Sequence, residues 1–339
     1  MEAEYVTARL AAIKSRLVSP QELMKVLEVG DLKPALELIE SSVYAREMEE
    51  IIRRGGLRPT PALMERVINE GLARLKRRFA ELVIDMDSTV GRALVMRWEL
   101  EELKSAIRYL MRDGFSQDRR FSFTPMVVEP KNIPAWGGYK TATELITLMK
   151  KAGHPLAPGL DAALFAKNPL DAELGLERYF FTKYLRSLSY LPWQIGEYYR
   201  DQLDMANVNN AMLARVASVG PMELREFYID GGGLIRREDF ETLAFGQGDT
   251  PHKVIKERLG AKPRRGSENS ATLFYMELRR AFYVKYRRHS LKEPVGPWGL
   301  IFFMEELSAN ASNLHLALSF GLSHTPMGDA AEHFIRAWQ

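Results

Sequence analysis

Gly231-Gly232-Gly233 is the stretch of this chain most suited to holding an anion, because backbone amides reach a phosphate only where no side chain intervenes. The Lys and Ser/Thr of a phosphate-binding loop are missing around it and no strand pattern leads into it, so it reads better as a turn. The histidines, His154, His252, His289, His315, His324 and His333, are scattered. None stands in the i, i+4 pair with a Glu between that a zinc protease helix needs. Asp85, Asp87, Asp201 and Asp204 are of the type that serves as acid and base, yet carboxylates near helix ends are ordinary complements of the helix dipole. There is no Gly-x-Ser-x-Gly elbow, and the absence of cysteine removes disulfides, thiolate metal sites and thiol catalysis. These residues compose no catalytic constellation, and no cofactor, cofactor-binding residue or metal is expected.

Cationic chemistry is more promising. Paired arginines recur along the chain, and Phe274 to Arg288 interleaves them with aromatics. That mixture suits RNA or single-stranded DNA, where arginines meet phosphates and rings stack on bases. It also suits a helix that buries Phe274, Leu278, Ala281 and Phe282 as a core stripe, the better reading at helical spacing. From Lys253 to Lys292 there are twelve Lys and Arg against three Glu. The excess points to an acidic partner surface or to a solvated helix face with a basic loop. Arg264, Arg265, Arg287 and Arg288 are the candidate interface residues.

The elements that would carry these residues are helices. The chain has 339 residues, 46% hydrophobic and 27% charged with a net charge of +3, ordinary values for a globular protein. No apolar run reaches the length of a spanning helix, and the acidic start Met1-Glu2-Ala3-Glu4 lacks a secretion signal, so a cytoplasmic protein is expected. One pattern occurs three times. Arg97 to Arg108, Gln202 to Leu213 and Ser308 to Ser319 align, with Leu103, Val208 and Leu314 spaced by 105 and 106 residues. Ala106, Ala211 and Ala317 coincide in the same register, on one apolar helix face.

Ahead of each copy a capping signal opens a helix: Ser19 to Leu23, Thr141 to Leu145 and, weaker, Arg236 to Phe240. A long amphipathic helix lies between, marked by Leu63 to Leu82, Leu176 to Leu188 and Phe274 to Phe282. Breaks fall at Gly55-Gly56, Pro59 to Pro61, Gly153 to Pro158, Gly220-Pro221 and Glu293 to Pro297. The expected units are residues 1–115, 116–222 and 223–339. A linker over 115–136 reads as a surface excursion or contact element, with a short extended piece near Phe121 to Val128.

The segments Asp204 to Ala211, Asn310 to Leu316, Tyr179 to Leu185, Phe227 to Gly233 and Tyr5 to Leu17 together resemble the C subunit of V-type and archaeal-type ATPases, whose eukaryotic counterpart is called the d subunit. The family's closing-helix Asn is matched by Asn207 and Asn313. Glu102 stands there in the first copy, and His315 replaces a usual Arg. The resemblance implies an all-α fold of three similar helical domains about a pseudo-threefold axis, a funnel with a central cavity. It further implies a non-catalytic rotor subunit, peripheral on the cytoplasmic side of the membrane, that joins the central-stalk subunits to the proteolipid ring for proton or sodium transport. Under that reading no nucleic acid is bound.

Overall fold

The computed structural model describes residues 2–29, 32–111, 125–127, 141–166, 168–188, 190–248, 250–260 and 271–323, and every regular element among them is helical. The first third holds α1 (Ala3–Lys14), α2 (Pro20–Val29), α3 (Leu32–Glu40), α4 (Ala45–Met48), α5 (Pro61–Met86) and α6 (Ser88–Leu110). The second holds α7 (Ala142–Lys151), α8 (Ala157–Ala163), α9 (Pro169–Tyr179), α10 (Leu185–Ser187) and α11 (Trp193–Val216). Then come α12 (Pro221–Leu224), α13 (Arg237–Phe245), α14 (Thr250–Leu259), α15 (Ala271–Lys292) and α16 (Pro297–Ser323).

The helices start where short polar residues can absorb unpaired amides. Before α2, the Ser19 amide donates to Glu22 Oε2 at 2.7 Å and the Glu22 amide to Ser19 Oγ at 3.3 Å, a reciprocal capping box. Thr141 accepts from the Glu144 amide at 3.2 Å ahead of α7. The third opening has half of this device: the Arg236 amide donates to Asp239 Oδ2 at 3.0 Å. Pro61, Pro221 and Pro297 each occupy the first position of a helix, where the missing N–H costs nothing.

One expectation needs adjustment. The stripe from Leu176 to Leu188 is not a single α-helix, because Phe180–Tyr184 winds as a π-helix between α9 and α10 and Leu188 falls beyond it. An α-helix turns about 100° per residue, so adjacent rings diverge. The wider turn lets Phe180, Phe181 and Tyr184 all be buried. A second π-helical stretch, Glu49–Arg53, follows α4.

The closing helices α6, α11 and α16 organise the packing. Each packs on helices of another stretch of the chain, while α6 and α16 also keep close packing with α5 and α15 beside them in sequence. α6 packs on α9, α11 packs on α13 and α15, and α16 packs on α5, α2, α1 and α3. These transfers run from residues 88–110 to 169–179, from 193–216 to 237–292, and from 297–323 back to 3–86. Val208 and Ala211 therefore lie in a core formed with Leu224, Phe240, Leu243, Ile255 and Leu278. Leu103, Ala106, Leu314 and Ala317 lie in the larger core, which draws on residues from Val6 to Leu318 and includes Phe282, Tyr283 and Tyr286 of α15. All six of these repeat positions are buried.

Candidate functional site

The residues that lock the transfers are polar. Glu99, Asp204 and Asn310 precede Leu103, Val208 and Leu314 by four residues, so they occupy one register of the repeat. All three are buried. Asp204 sits against Gly231-Gly232-Gly233, and its carboxylate accepts from the amides of Gly233, Leu234 and Ile235 at 3.0, 2.9 and 2.9 Å. The glycine run does cradle an anion, and the anion is a side chain of the same protein. Gly231 has φ +120°, and a Cβ on Gly232 would collide with Asp204 Oδ1, so both glycines are required by the approach. Burial pushes the Asp204 carboxyl pKa up, and the three amides oppose it.

Glu99 plays the same part between the first and second units. Its carboxylate accepts from the amides of Met126 and Val127, the latter at 3.0 Å, and meets His154 Nε2 at 2.8 Å. His154 Nδ1 accepts from the Leu156 amide at 3.1 Å, which assigns the proton to Nε2 and makes the ring a neutral donor to Glu99. Pro125, Met126 and Val127 are the described part of the 115–136 linker; Met126 and Val127 form a bend, and the remainder of the extended piece lies outside the described residues. At the third transfer an amide takes over. Asn310 Nδ2 donates to the Val18 carbonyl at 2.7 Å, while Tyr44 OH donates to Asn310 Oδ1 at 3.4 Å. Val18 immediately precedes the Ser19 cap, as Ile235 immediately precedes Arg236.

Matching apolar positions passes over this set, since Glu, Asp and Asn share polarity and burial rather than hydropathy. Asn207, one register further, donates to the Ile229 carbonyl and accepts the Ile229 amide, both at 2.9 Å. Its counterpart Glu102 faces Lys76 at 3.1 Å, and Asn313 is buried.

The N-terminal halves of the closing helices meet. Arg97 donates to Gln202 at 3.2 Å, Trp98 Nε1 to Ser308 Oγ at 3.1 Å, and Tyr198 OH to Glu305 at 2.8 Å. Arg97, Gln202 and Ser308 are equivalent in the repeat, so equal registers come together. Arg97 also pairs with Glu101. Burial would push the Glu101 carboxyl up, but Arg97 and Lys104 outweigh it and hold it at about 2. The C-terminal halves go separate ways. Lys104 reaches Glu177 at 2.9 Å, Arg215 reaches the Gly246 carbonyl at 2.6 Å, and His315 contacts Asn69 at 3.1 Å.

The two ends of this arrangement carry exposed apolar side chains. At the convergent end Tyr190 is 98% exposed, Leu291 74% and Trp193 63%, with Val295 beside them. At the divergent end Met222 is 87% exposed, near Val216 and Phe245. Of the candidate interface residues, Arg288 is exposed on the wall of an open cavity of about 700 Å³ on the α15 face, shared with Lys292, His289 and Arg280. Arg287 is half-buried. Arg264 and Arg265 lie outside the described residues. Phe282, Tyr283 and Tyr286 are buried beside Leu278 and are spent in the core, Tyr275 is half-buried, and the Phe274 side chain lies outside the described residues. No group of three or more metal-ligating side chains occurs among the described residues.

Comparison with known proteins places these features in a context. The family described as ATP synthase (C/AC39) subunit matches residues 6–315. The C subunit of the V-type ATP synthase of Deinococcus radiodurans is 21% identical over 235 residues, 68% of this chain and 64% of that protein. The C subunit of the A-type ATP synthase of Archaeoglobus fulgidus is 21% identical over 251 residues, 71% of this chain and 69% of that one. Its counterpart in Thermococcus onnurineus is 22% identical over 235 residues, covering 68% and 62%. The matched stretch thus spans less than two thirds of the Deinococcus and Thermococcus relatives.

Proposed function

We propose, from the premise that this chain belongs to the ATP synthase (C/AC39) subunit family, that it is the non-catalytic rotor subunit of a V/A-type ATPase, joining the central stalk to the membrane proteolipid ring. The observation that carries this reading is the cyclic transfer of α6, α11 and α16, each sealed by a buried polar residue at one register. A part that transmits torque must resist shear between its units, and helices shared between neighbouring cores provide that resistance through close packing. Residues 1–115, 116–222 and 223–339 are then three copies of one unit about a pseudo-threefold axis, on the cytoplasmic side of the membrane. No helix among the described residues is long and apolar enough to cross a membrane. Exposed apolar groups at both ends offer the two docking surfaces a coupler needs.

An affinity-tagged chain isolated from native membranes tests this directly. Stalk and proteolipid subunits are expected with it, and a chain that purifies free of both overturns the reading. The basic segment supplies part of one interface in this account. Replacing Arg264, Arg265, Arg287 and Arg288 together by Glu is expected to weaken assembly, and unchanged assembly removes the segment from the interface.

A further inference from the structure

The convergent end joins two features that the coupling role does not require of each other. Its apolar residues are large and clustered: Trp193 opens α11 and meets Trp298 edge-on, with centroids 6.0 Å apart, while Leu291 and Val295 flank the turn into α16. Gln194 reaches Glu293 at 3.2 Å, which ties the two connections together. Tyr190 adopts φ +63°, a strained left-handed conformation that L-residues rarely take. The strain projects a ring that is 98% exposed.

Cations surround this patch. Arg288 and Lys292, one turn apart on α15, line the cavity of about 700 Å³ together with His289, whose ring stacks on Trp298 at 4.5 Å. Neither Arg288 nor Lys292 forms an ion pair among the described residues. Lys183 and Arg186, on the segment leading to Tyr190, are likewise exposed and unpaired there. Lys285 is committed to Asp201 at 2.6 Å and Glu197 at 2.9 Å, and Glu293 is held by Gln194. Among the described residues, Glu277 is the one carboxylate on the cavity wall.

We propose that the convergent end docks on an anionic lipid surface, with Tyr190, Trp193 and Leu291 entering the headgroup boundary and Arg288 and Lys292 meeting lipid phosphates. Amphipathic rings favour that boundary, and neighbouring Lys and Arg add attraction to anionic lipid. A soluble anion would be served by the cations alone and would leave the apolar anchors unexplained. The proposal goes beyond the coupling role: it gives this end lipid contacts in addition to the protein docking which that role assigns to it.

The test uses the full chain with vesicles of phosphatidylcholine alone and of phosphatidylcholine mixed with phosphatidylglycerol. Cosedimentation with the anionic vesicles is expected, weakened by salt, together with a blue shift of tryptophan emission that Trp193→Phe removes. Combining Tyr190→Ser, Trp193→Ser and Leu291→Ser is expected to lower vesicle affinity about tenfold or more. Arg288→Glu with Lys292→Glu is expected to erase the preference for anionic vesicles. Thermal unfolding reports whether these exposed positions leave the fold intact. Binding of inorganic phosphate without vesicle binding overturns the proposal in favour of a soluble anion. Absence of both, or vesicle binding indifferent to the variants, overturns it as well. None of these failures touches copurification with ATPase subunits, so the two readings fail separately.

Discussion

The joint between the second and third units and the joint between the third and first solve one problem with opposite chemistry. At the former, Asp204 brings a buried carboxylate to three amides of a connector that is covalently part of the same strand of chain. At the latter no connector exists, and Asn310 presents a neutral amide to the Val18 carbonyl and Tyr44 hydroxyl. Burying a charge is costly unless several donors converge on it, and a tethered glycine-rich turn supplies them at a fixed distance. An untethered surface has to be recognised already folded. A group that donates and accepts without charge suits it. Glu99 belongs with the tethered kind, drawing on two linker amides and on His154.

The largest expected effect tests the tethered case. Asp204→Ala leaves one buried and two partly buried amides without this acceptor and is expected to destabilise by about 3–4 kcal/mol in urea unfolding. Glu99→Gln replaces one acceptor oxygen by a donor facing either the linker amides or His154, at a cost of about 2–3 kcal/mol by the same measurement. Asn310→Asp sharpens the comparison most, because it imposes the tethered chemistry on the untethered joint. A carboxylate facing the Val18 carbonyl is expected to cost about 2 kcal/mol, and a neutral result would erase the distinction drawn between the joints.

The smallest effect is read by pH. Asp201, one turn before Asp204, is pushed up to about 6 because burial outweighs its pairing with Lys285. The unfolded chain ionises this group first, near pH 4, so its contribution lowers native stability as pH climbs from about 4 to about 6. Asp201→Asn is expected to flatten that decline by about 1–2 kcal/mol in denaturant melts taken across the window. Glu101, held at about 2, acts in the opposite sense: its stabilisation is present above about pH 4.5 and is lost as pH falls towards 2.

Much of the architecture is legible locally. Ser19 with Glu22 and Thr141 with Glu144 cap helices because their partners are three residues away. The prolines at 61, 221 and 297 start helices for reasons internal to the backbone. The repeat of Leu103, Val208 and Leu314 can be read because each lies on a buried face. The polar locks are harder. In the sequence Asp204 and Asn310 are visible as the first residues of two segments that carry the family resemblance, with no sign of what either side chain binds. Their partners lie about thirty and about three hundred residues away, beyond any pattern of local spacing. The glycine run reads as a turn, which it is, but its occupant comes from another helix. The π-helical turn at Phe180–Tyr184 is hidden because three buried rings are equally compatible with a smooth stripe.

The transfer of α16 to the first unit bears on how the protein comes to exist. Helices α2, α3 and α5 leave the ribosome early, yet the wall they pack against is translated more than two hundred residues later. Early packing of α5 on α6 and of α2 on α3 covers only part of their apolar surface, and the part that α16 seals stays without its native partner until α16 is made. A nascent chain of this kind carries an open apolar seam on its earliest helices until α16 emerges.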